Sequence, residues 1–430
     1  MSESLKIAVA GLGTVGSGTL QLIQAHNDLI AARCGRPIMV SAVSARDRRK
    51  NRALDLSAVR WFEDPVAMAA DPEIDVVLEL IGGSDGVARQ VIERAIEARH
   101  HVITANKALL AHHGTALARA AEAAGVTLGY EAAVAGGIPV IKGLREGLAA
   151  NSITRVYGIL NGTCNFILST MRETGREFGE VLLEAQKLGY AEADPGFDVD
   201  GVDAAHKLAI LTALAFGCEV NLPGVYIEGI REVSALDIAY AGELGYRIKL
   251  LGIASRRDGG VEQRVYPCMV GQGTPIANVE GVFNAVVADG DFVGTILAEG
   301  RGAGAGPTAS AVVADLIDIA RGTSLPTFAV PARDLIAMPS LPIERHVGSH
   351  YIRLMVVDRP GVIADVAAAL RDEHISVEAM LQRGRAPGEA VPVVITTHET
   401  RESAMANALA RIAELDTVLE PPRRIRIETL

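Results

Sequence analysis

Leu5 to Gly16 read LKIAVAGLGTVG, a short apolar run that ends in a glycine-rich turn and opens into a helical pattern. Strand, G-x-G-x-x-G, then helix is the arrangement that binds a dinucleotide. Gly11 permits the tight turn, Gly13 lets the pyrophosphate approach the backbone, and Gly16 lets helix and strand pack closely. Leu12, Thr14 and Val15 complete the loop, and the free N–H groups at the helix start favour an anion there. Glycines at this spacing also serve plain turns. The strand before them and their place at the chain start make residues 11–16 the candidate cofactor contacts.

The next strand outward, Ile38 to Val43, should end where an acid holds the ribose hydroxyls of NAD. Ser44-Ala45-Arg46 stands there instead, followed by Asp47, Arg48, Arg49 and Lys50. That basic cluster suits the extra phosphate of NADP, with Arg46 as its reader. Asp47 leaves NAD open, and a solvated loop is the plain alternative. Asp75 to Leu80, His101 to Thr104 and Val126 to Tyr130 continue the strands between helical stretches. Ligands of open parallel sheets bind beyond the carboxyl ends of the strands. Topology alone therefore places Lys107, just after the strand ending at Thr104, near the nicotinamide.

A second stretch, GYAEADPGFDVDGVDAAHK (Gly189 to Lys207), carries the chemistry. Its loop holds Glu192, Asp194, Asp198 and Asp200, and Asp200 is placed to cap the helix that follows. Helical spacing puts Asp203, Lys207, Leu211 and Leu214 on one stripe, whose lower part is apolar and should face the core. Charges pointed inward cost several kcal/mol unless paired or used. A solvated i,i+4 ion pair is the bland reading. The inward stripe and the crowd of carboxylates favour a site.

From about Pro139 the composition changes to a second unit, with strands at Ile153–Leu160, Leu250–Ala254, Val261–Val270 and Phe283–Ala288. The turn Asp289-Gly290-Asp291 is expected to join the last of these to a strand at Phe292–Ala298. Gly300 to Thr308 is a glycine loop opening a helix to about Ala320, and the proline-bearing residues 323–348 read as a linker. Residues 349–430 show the order βαββαβ, the ferredoxin-like pattern.

Composition narrows the class. The 430 residues are long enough for two or three domains, and the net charge of −11 argues against nucleic-acid or anionic-membrane binding. The four cysteines are scattered without a CxxC pair, so neither a disulfide framework nor a zinc site is indicated. No apolar run is long enough to span a bilayer, and the early strand leaves no room for a signal peptide. A cytoplasmic protein is expected.

The run from Ala191 to Lys207, with its Asp-Pro, Asp198, Gly201, Asp203 and Lys207, resembles the signature of homoserine dehydrogenase, as does TANKALLA from Thr104 to Ala111. The resemblance covers essentially the whole chain. It implies an α/β fold: a Rossmann dinucleotide-binding domain (1–138, completed by 302–322) with an inserted α+β substrate and dimerisation domain (139–301). The C-terminal ferredoxin-like unit, with Asp358-Arg359-Pro360-Gly361 at its first strand–helix junction, resembles the ACT domain, a regulatory amino-acid-binding module.

By that resemblance Lys207 is the general acid/base, Lys107 assists catalysis and contacts cofactor and substrate, and Asp203 orients Lys207. Glu192, Asp198 and Asp203 bind the substrate, Gly304 returns to the cofactor, and Glu131, Val134, Gly136 and Ile138 hold a sodium ion. Cys164, in the Asn161-Gly162-Thr163 segment laid against the nicotinamide, reads as a packing residue. NADP (or NAD) is the implied cofactor, a homo-oligomer the implied assembly, and threonine the first choice of effector. Two other readings stay open: a different amino-acid or semialdehyde dehydrogenase on this fold, and a non-catalytic nucleotide-sensing regulator.

Overall fold

The computed structural model describes residues 3–52, 54–383 and 388–430. The first unit runs β1 (Leu5–Ala10), α1 (Thr14–Ala25), α2 (Asn27–Cys34), β2 (Ile38–Ser44), β3 (Arg60–Trp61), α3 (Pro65–Ala69), β4 (Val76–Glu79), α4 (Val87–Glu97), β5 (His101–Thr104), α5 (Lys107–Ala124) and β6 (Leu128–Gly129). Its strands lie in the order β3-β2-β1-β4-β5-β6, all parallel. Ile7, Ala8 and Val9 are fully buried because helices cover both faces of the sheet, which is why these strands are apolar without alternation. The order reverses between β1 and β4, and a crevice opens beyond their carboxyl ends.

The second unit holds α6 (Val140–Lys142), β7 (Ile153–Ile159), α7 (Gly162–Thr174), α8 (Phe178–Lys187), α9 (Gly196–Val199), α10 (Val202–Phe216), β8 (Val225–Ile227), α11 (Ala235–Glu243), β9 (Tyr246–Arg257), β10 (Gly260–Gly271), β11 (Phe283–Gly290) and β12 (Gly294–Arg301). Then α12 (Ala305–Ala320) returns to the first sheet: Val312, Leu316 and Ile319 share a core with Ile7, Val9 and Leu20. The approach is so close that a Cβ on Gly18 would lie 2.9 Å from the Ala305 carbonyl.

The last unit comprises β13 (Val347–Val357), α13 (Val362–Asp372), β14 (Val377–Gln382), β15 (Ala390–Thr397), β16 (Thr400–Arg401), α14 (Glu402–Ala413) and β17 (Arg423–Glu428). It is not a bead on a string, as the reading of residues 323–348 as a linker would suggest. Strand β17 pairs in parallel with β10, so both units share one 11-stranded sheet. The connecting segment is itself packed: Phe328, Ala332 and Leu335 are buried, and Val261 exchanges backbone bonds with Pro339 and Leu341.

Two further local expectations are corrected. The hairpin strand begins at Gly294, not Phe292, because the Asp291 carboxylate accepts the N–H groups of Ser152 and Phe292 and pins the turn, leaving Phe292 91% exposed at its tip. And Asp200 does not cap α10. Gly201, at φ +84°, takes that position, while the Asp200 carboxylate turns outward to the Arg231 guanidinium.

Candidate active site

At the switch point Gly11 adopts φ +101°, and a Cβ there would lie 2.5 Å from the Leu80 carbonyl oxygen, so only glycine fits. Nothing lies within 4 Å of a Cβ on Gly13, which starts α1 and leaves its backbone open to an approaching phosphate. A groove of about 640 Å³ runs from this turn across Ser44–Asp47 to Leu80 and Ile81, roomy enough for part of a dinucleotide. Arg46 is exposed on its wall. The Asp47 carboxylate instead folds onto its own loop, accepting the Arg49 N–H at 2.8 Å. Arg52, which the sequence did not single out, ties the two loops together by donating to the Leu12 carbonyl at 3.1 Å and the Asp47 carbonyl at 2.6 Å. Gly304, at φ +116°, starts α12 where it meets α1.

Beyond β5 the two units meet in a charge cluster. Lys107, at the start of α5, sits 2.7 Å from Asp203 Oδ1, and Lys207 donates to Asp203 Oδ2 at 2.7 Å. Lys207 also donates to the Leu160 carbonyl at 2.7 Å. Helix α10 is buried on nearly every side, so Asp203 and Lys207 are internal, whereas the Lys107 side chain is 35% exposed and forms the open rim. Burial works to raise the Asp203 pKa, but the ammonium groups of Lys207 and Lys107 outweigh it and hold the carboxylate well below its ordinary range. Burial likewise pulls Lys207 down from the usual lysine value, against the attraction of Asp203.

Asn161 organises the acids: its Nδ2 donates to Asp198 at 2.8 Å and to Asp203 at 2.9 Å, while its Oδ1 caps α7 through the Cys164 N–H. An asparagine just before a helical pattern is a recognisable cap signal; its two acid contacts are not legible in one dimension. Burial, and then Asp203, raise the Asp198 pKa. Cys164 is buried, its thiol pushed well up by that burial, and its Sγ donates to the Asp198 carbonyl. Glu192 stands apart: it is exposed, and among the described residues its carboxylate makes no hydrogen bond or ion pair with this cluster. On the first unit, buried Glu79 accepts Thr104 Oγ1 at 2.6 Å and the N–H of Ile81 at 2.8 Å, while Asn106 donates to the Gly83 carbonyl. These contacts fix the strand ends beneath Lys107.

Glu131 and Val134, Gly136 and Ile138 lie in one buried turn, with Ala135 at φ +55° and Gly136 at φ +45°. The Glu131 carboxylate accepts the N–H groups of Ile141 at 2.9 Å and Lys142 at 2.8 Å, and so caps α6. Burial, and then Asp315, raise Glu131 to about 7; burial raises Asp315 to about 6. Among the described residues no three His, Cys, Asp or Glu side chains gather to hold a metal. The Glu131 carboxylate and the Val134, Gly136 and Ile138 carbonyls are oxygen donors, the type a hard cation takes, and the Ile138 carbonyl also accepts the Val140 N–H at 2.7 Å.

The chain is similar to known proteins along essentially its whole length. Residues 11–131 match the homoserine dehydrogenase NAD-binding domain, 139–317 the homoserine dehydrogenase family and 350–415 the ACT domain. The chain is 47% identical to a homoserine dehydrogenase of Pseudomonas aeruginosa over 100% of both chains. The crystal structure of a homoserine dehydrogenase from Thiobacillus denitrificans is similar at TM-score 0.94 and 47% identity, over 99% of this chain and 98% of that one. A hyperthermophilic archaeal homoserine dehydrogenase in complex with NADPH is similar at TM-score 0.62 and 26% identity, over 74% of this chain and 97% of that one. No described helix is long and apolar enough to cross a membrane. With a glycine turn and groove built for a dinucleotide, a buried lysine–aspartate pair, and relatives matched along its full length, this chain belongs to the homoserine dehydrogenase family.

Proposed function

We propose that Lys207 moves the proton when this enzyme interconverts L-aspartate 4-semialdehyde and L-homoserine, the oxidoreductase reaction of its family. The observation that carries the assignment is Asp203 held between Lys107 and Lys207 beside the crevice. Bound in that crevice, the nicotinamide supplies or accepts the hydride at the substrate's aldehyde carbon. The chain must then protonate the oxygen, and the buried Lys207 ammonium, its pKa drawn down, is suited to give a proton up and take it back. Lys107 on the rim adds a second positive charge toward the developing alkoxide. Asp203 holds both lysines in place. Asp198, together with Glu192 from the exposed loop, receives the substrate ammonium. Removing Lys207 and measuring turnover tests the assignment.

The groove further favours NADP, with Arg46 on its wall and the Asp47 carboxylate turned onto its own loop. The NADPH complex of the archaeal relative supports this choice. Arg46→Ala should weaken NADP by about 1.5–3 kcal/mol and leave NAD nearly unchanged. Equal losses for both cofactors in steady-state kinetics would mean that Arg46 does not read the 2′-phosphate.

Sodium belongs in the turn of Glu131, Val134, Gly136 and Ile138. The raised pKa values of Glu131 and Asp315 mean that their share of the stability is full below the ordinary carboxylate range. It is lost as pH rises through about 6 and about 7. A cation beside Glu131 offsets that loss. The gain in Tm on replacing choline chloride by sodium chloride should therefore grow between about pH 5 and about pH 8. A gain independent of pH excludes the site. The ACT unit takes an amino-acid effector, threonine first, in a cytoplasmic homo-oligomer.

A further inference from the structure

A carboxylate lies buried at the floor of the crevice with no cation on it. Glu79 is 0% exposed at the carboxyl end of β4, in register with Ala10 of β1 and Thr104 of β5. Its Oε1 accepts the N–H groups of Ile81 at 2.8 Å and Gly82 at 3.0 Å, and its Oε2 accepts Thr104 Oγ1 at 2.6 Å. Thr104 Oγ1 in turn accepts the Asn106 N–H at 3.0 Å, which leaves the hydroxyl proton for Glu79. Every contact therefore treats Glu79 as an ionised acceptor. Among the described residues no lysine, arginine or histidine pairs with it: Lys107 is engaged by Asp203 at 2.7 Å and His113 by Asp85 at 3.0 Å. A buried charge without a counter-ion is costly. The fold does not call for one here, since a glutamine oxygen would accept the same two N–H groups and its amide would donate to Thr104.

The groove shows which part of a dinucleotide lies over this charge. Gly11 and Gly13 mark its middle, where a pyrophosphate meets α1; Ser44 to Asp47, beyond β2, lie to one side, and Leu80 and Ile81, beyond β4, to the other. The adenosine half belongs on the β2 side with Arg46, which leaves the β4 side to the nicotinamide. Ile81, which lines that side, is the residue whose N–H Glu79 holds.

We propose that the Glu79 carboxylate biases the bound cofactor toward its oxidised form, through its charge beneath the nicotinamide side of the crevice. This rests on the reading of the crevice as the dinucleotide site. Hydride leaves the nicotinamide with its electron pair for the aldehyde carbon, so the ring passes from neutral to cationic while Lys207 gives a proton to the oxygen. A fixed negative charge in a water-poor site favours that cation. Glu79 thus pulls in the direction of aldehyde reduction. It acts by its field and through the loop it anchors, which makes it a positioning residue.

The test compares the affinities of both cofactor forms for the full-length parent and for Glu79→Gln, following NADPH by its own fluorescence and NADP⁺ by displacement of NADPH. The ratio of the NADP⁺ to the NADPH dissociation constant should rise about fivefold in the variant. The ratio cancels any effect on the phosphates, which both forms share. NAD⁺ and NADH should show the same factor, because the charge acts on the nicotinamide and not on the 2′-phosphate. Glu79→Asp keeps the charge with a shorter reach and should hold the ratio near the parent's, even where both affinities fall. Should the glutamine variant fail to fold, Glu79→Ala, with room for water at the freed N–H groups, reads the same ratio. Weakening of both forms by one factor would make Glu79 a loop anchor only and overturn the proposal, leaving the dinucleotide site intact. If the parent binds neither form, the reading of the crevice fails, and this proposal with it.

Discussion

Lys207→Ala is expected to lower kcat by about 10²- to 10⁴-fold, the usual worth of a positioned general acid, with cofactor affinity nearly unchanged. The fold should survive the change, because Asp203 keeps Lys107 at 2.7 Å and Asn161 at 2.9 Å and is not left as a lone buried charge. Lys207→Arg separates proton transfer from simple charge. An arginine can hold Asp203, yet it does not release its proton near neutral pH, so it should restore stability without restoring turnover. Lys107→Ala should cost less, because that ammonium contributes charge from the rim. Turnover of Lys207→Ala within a few-fold of the parent would remove Lys207 from proton transfer and leave Lys107 as the donor.

Arg426→Ala should destabilise the enzyme by about 3 kcal/mol, read as a lower unfolding midpoint in urea. Arg426 is 2% exposed at the seam between β17 and β10. Its guanidinium bonds Glu402 and Glu228 and lies 4.5 Å from the centroid of the Tyr266 ring. Removing it leaves Glu228 with the Tyr226 hydroxyl at 2.7 Å and the more distant Arg424 at 3.6 Å, and strips the face of Tyr266. Glu402 retains Arg424, which sets the effect at the lower end of what breaking a buried pair costs. A loss below about 1 kcal/mol would mean that water enters the seam and the pairs there act as surface pairs. The same seam bears on truncation: cutting after Leu341 removes β17 and uncovers Arg264, Tyr266 and Cys268, so it exposes a paired strand and not a free linker.

The nucleotide half was legible because its signals are local. Leu5–Ala10, the glycine turn and the strand at His101–Thr104 each follow from a few adjacent residues and the steric needs of one turn. The inward stripe of Asp203 and Lys207 was equally legible, since helical period alone places them together. The errors fall where two local choices compete. Asp200 is chemically a good helix cap, but Gly201 takes the turn and Arg231 takes the carboxylate. Phe292 fits a strand by composition, yet the hairpin is pinned by Asp291 reaching Ser152, far away in the chain.

Periodicity and turn chemistry act over a few residues, and from them alone come the Rossmann unit, the ferredoxin-like order of the last unit and the inward stripe of Asp203 and Lys207. Only the tertiary structure decided that Lys107 and Lys207 share one carboxylate, that Asn161 joins Asp198 to Asp203, and that Glu192 stands outside this cluster. It also decided that the ACT unit extends the catalytic unit's sheet. That joint depends on the strand register of β10 against β17 and on charges such as Arg426, Glu228 and Glu402 that are far apart in sequence. Such pairings are set by which buried groups can satisfy one another once the core has formed, and no short stretch of chain encodes them.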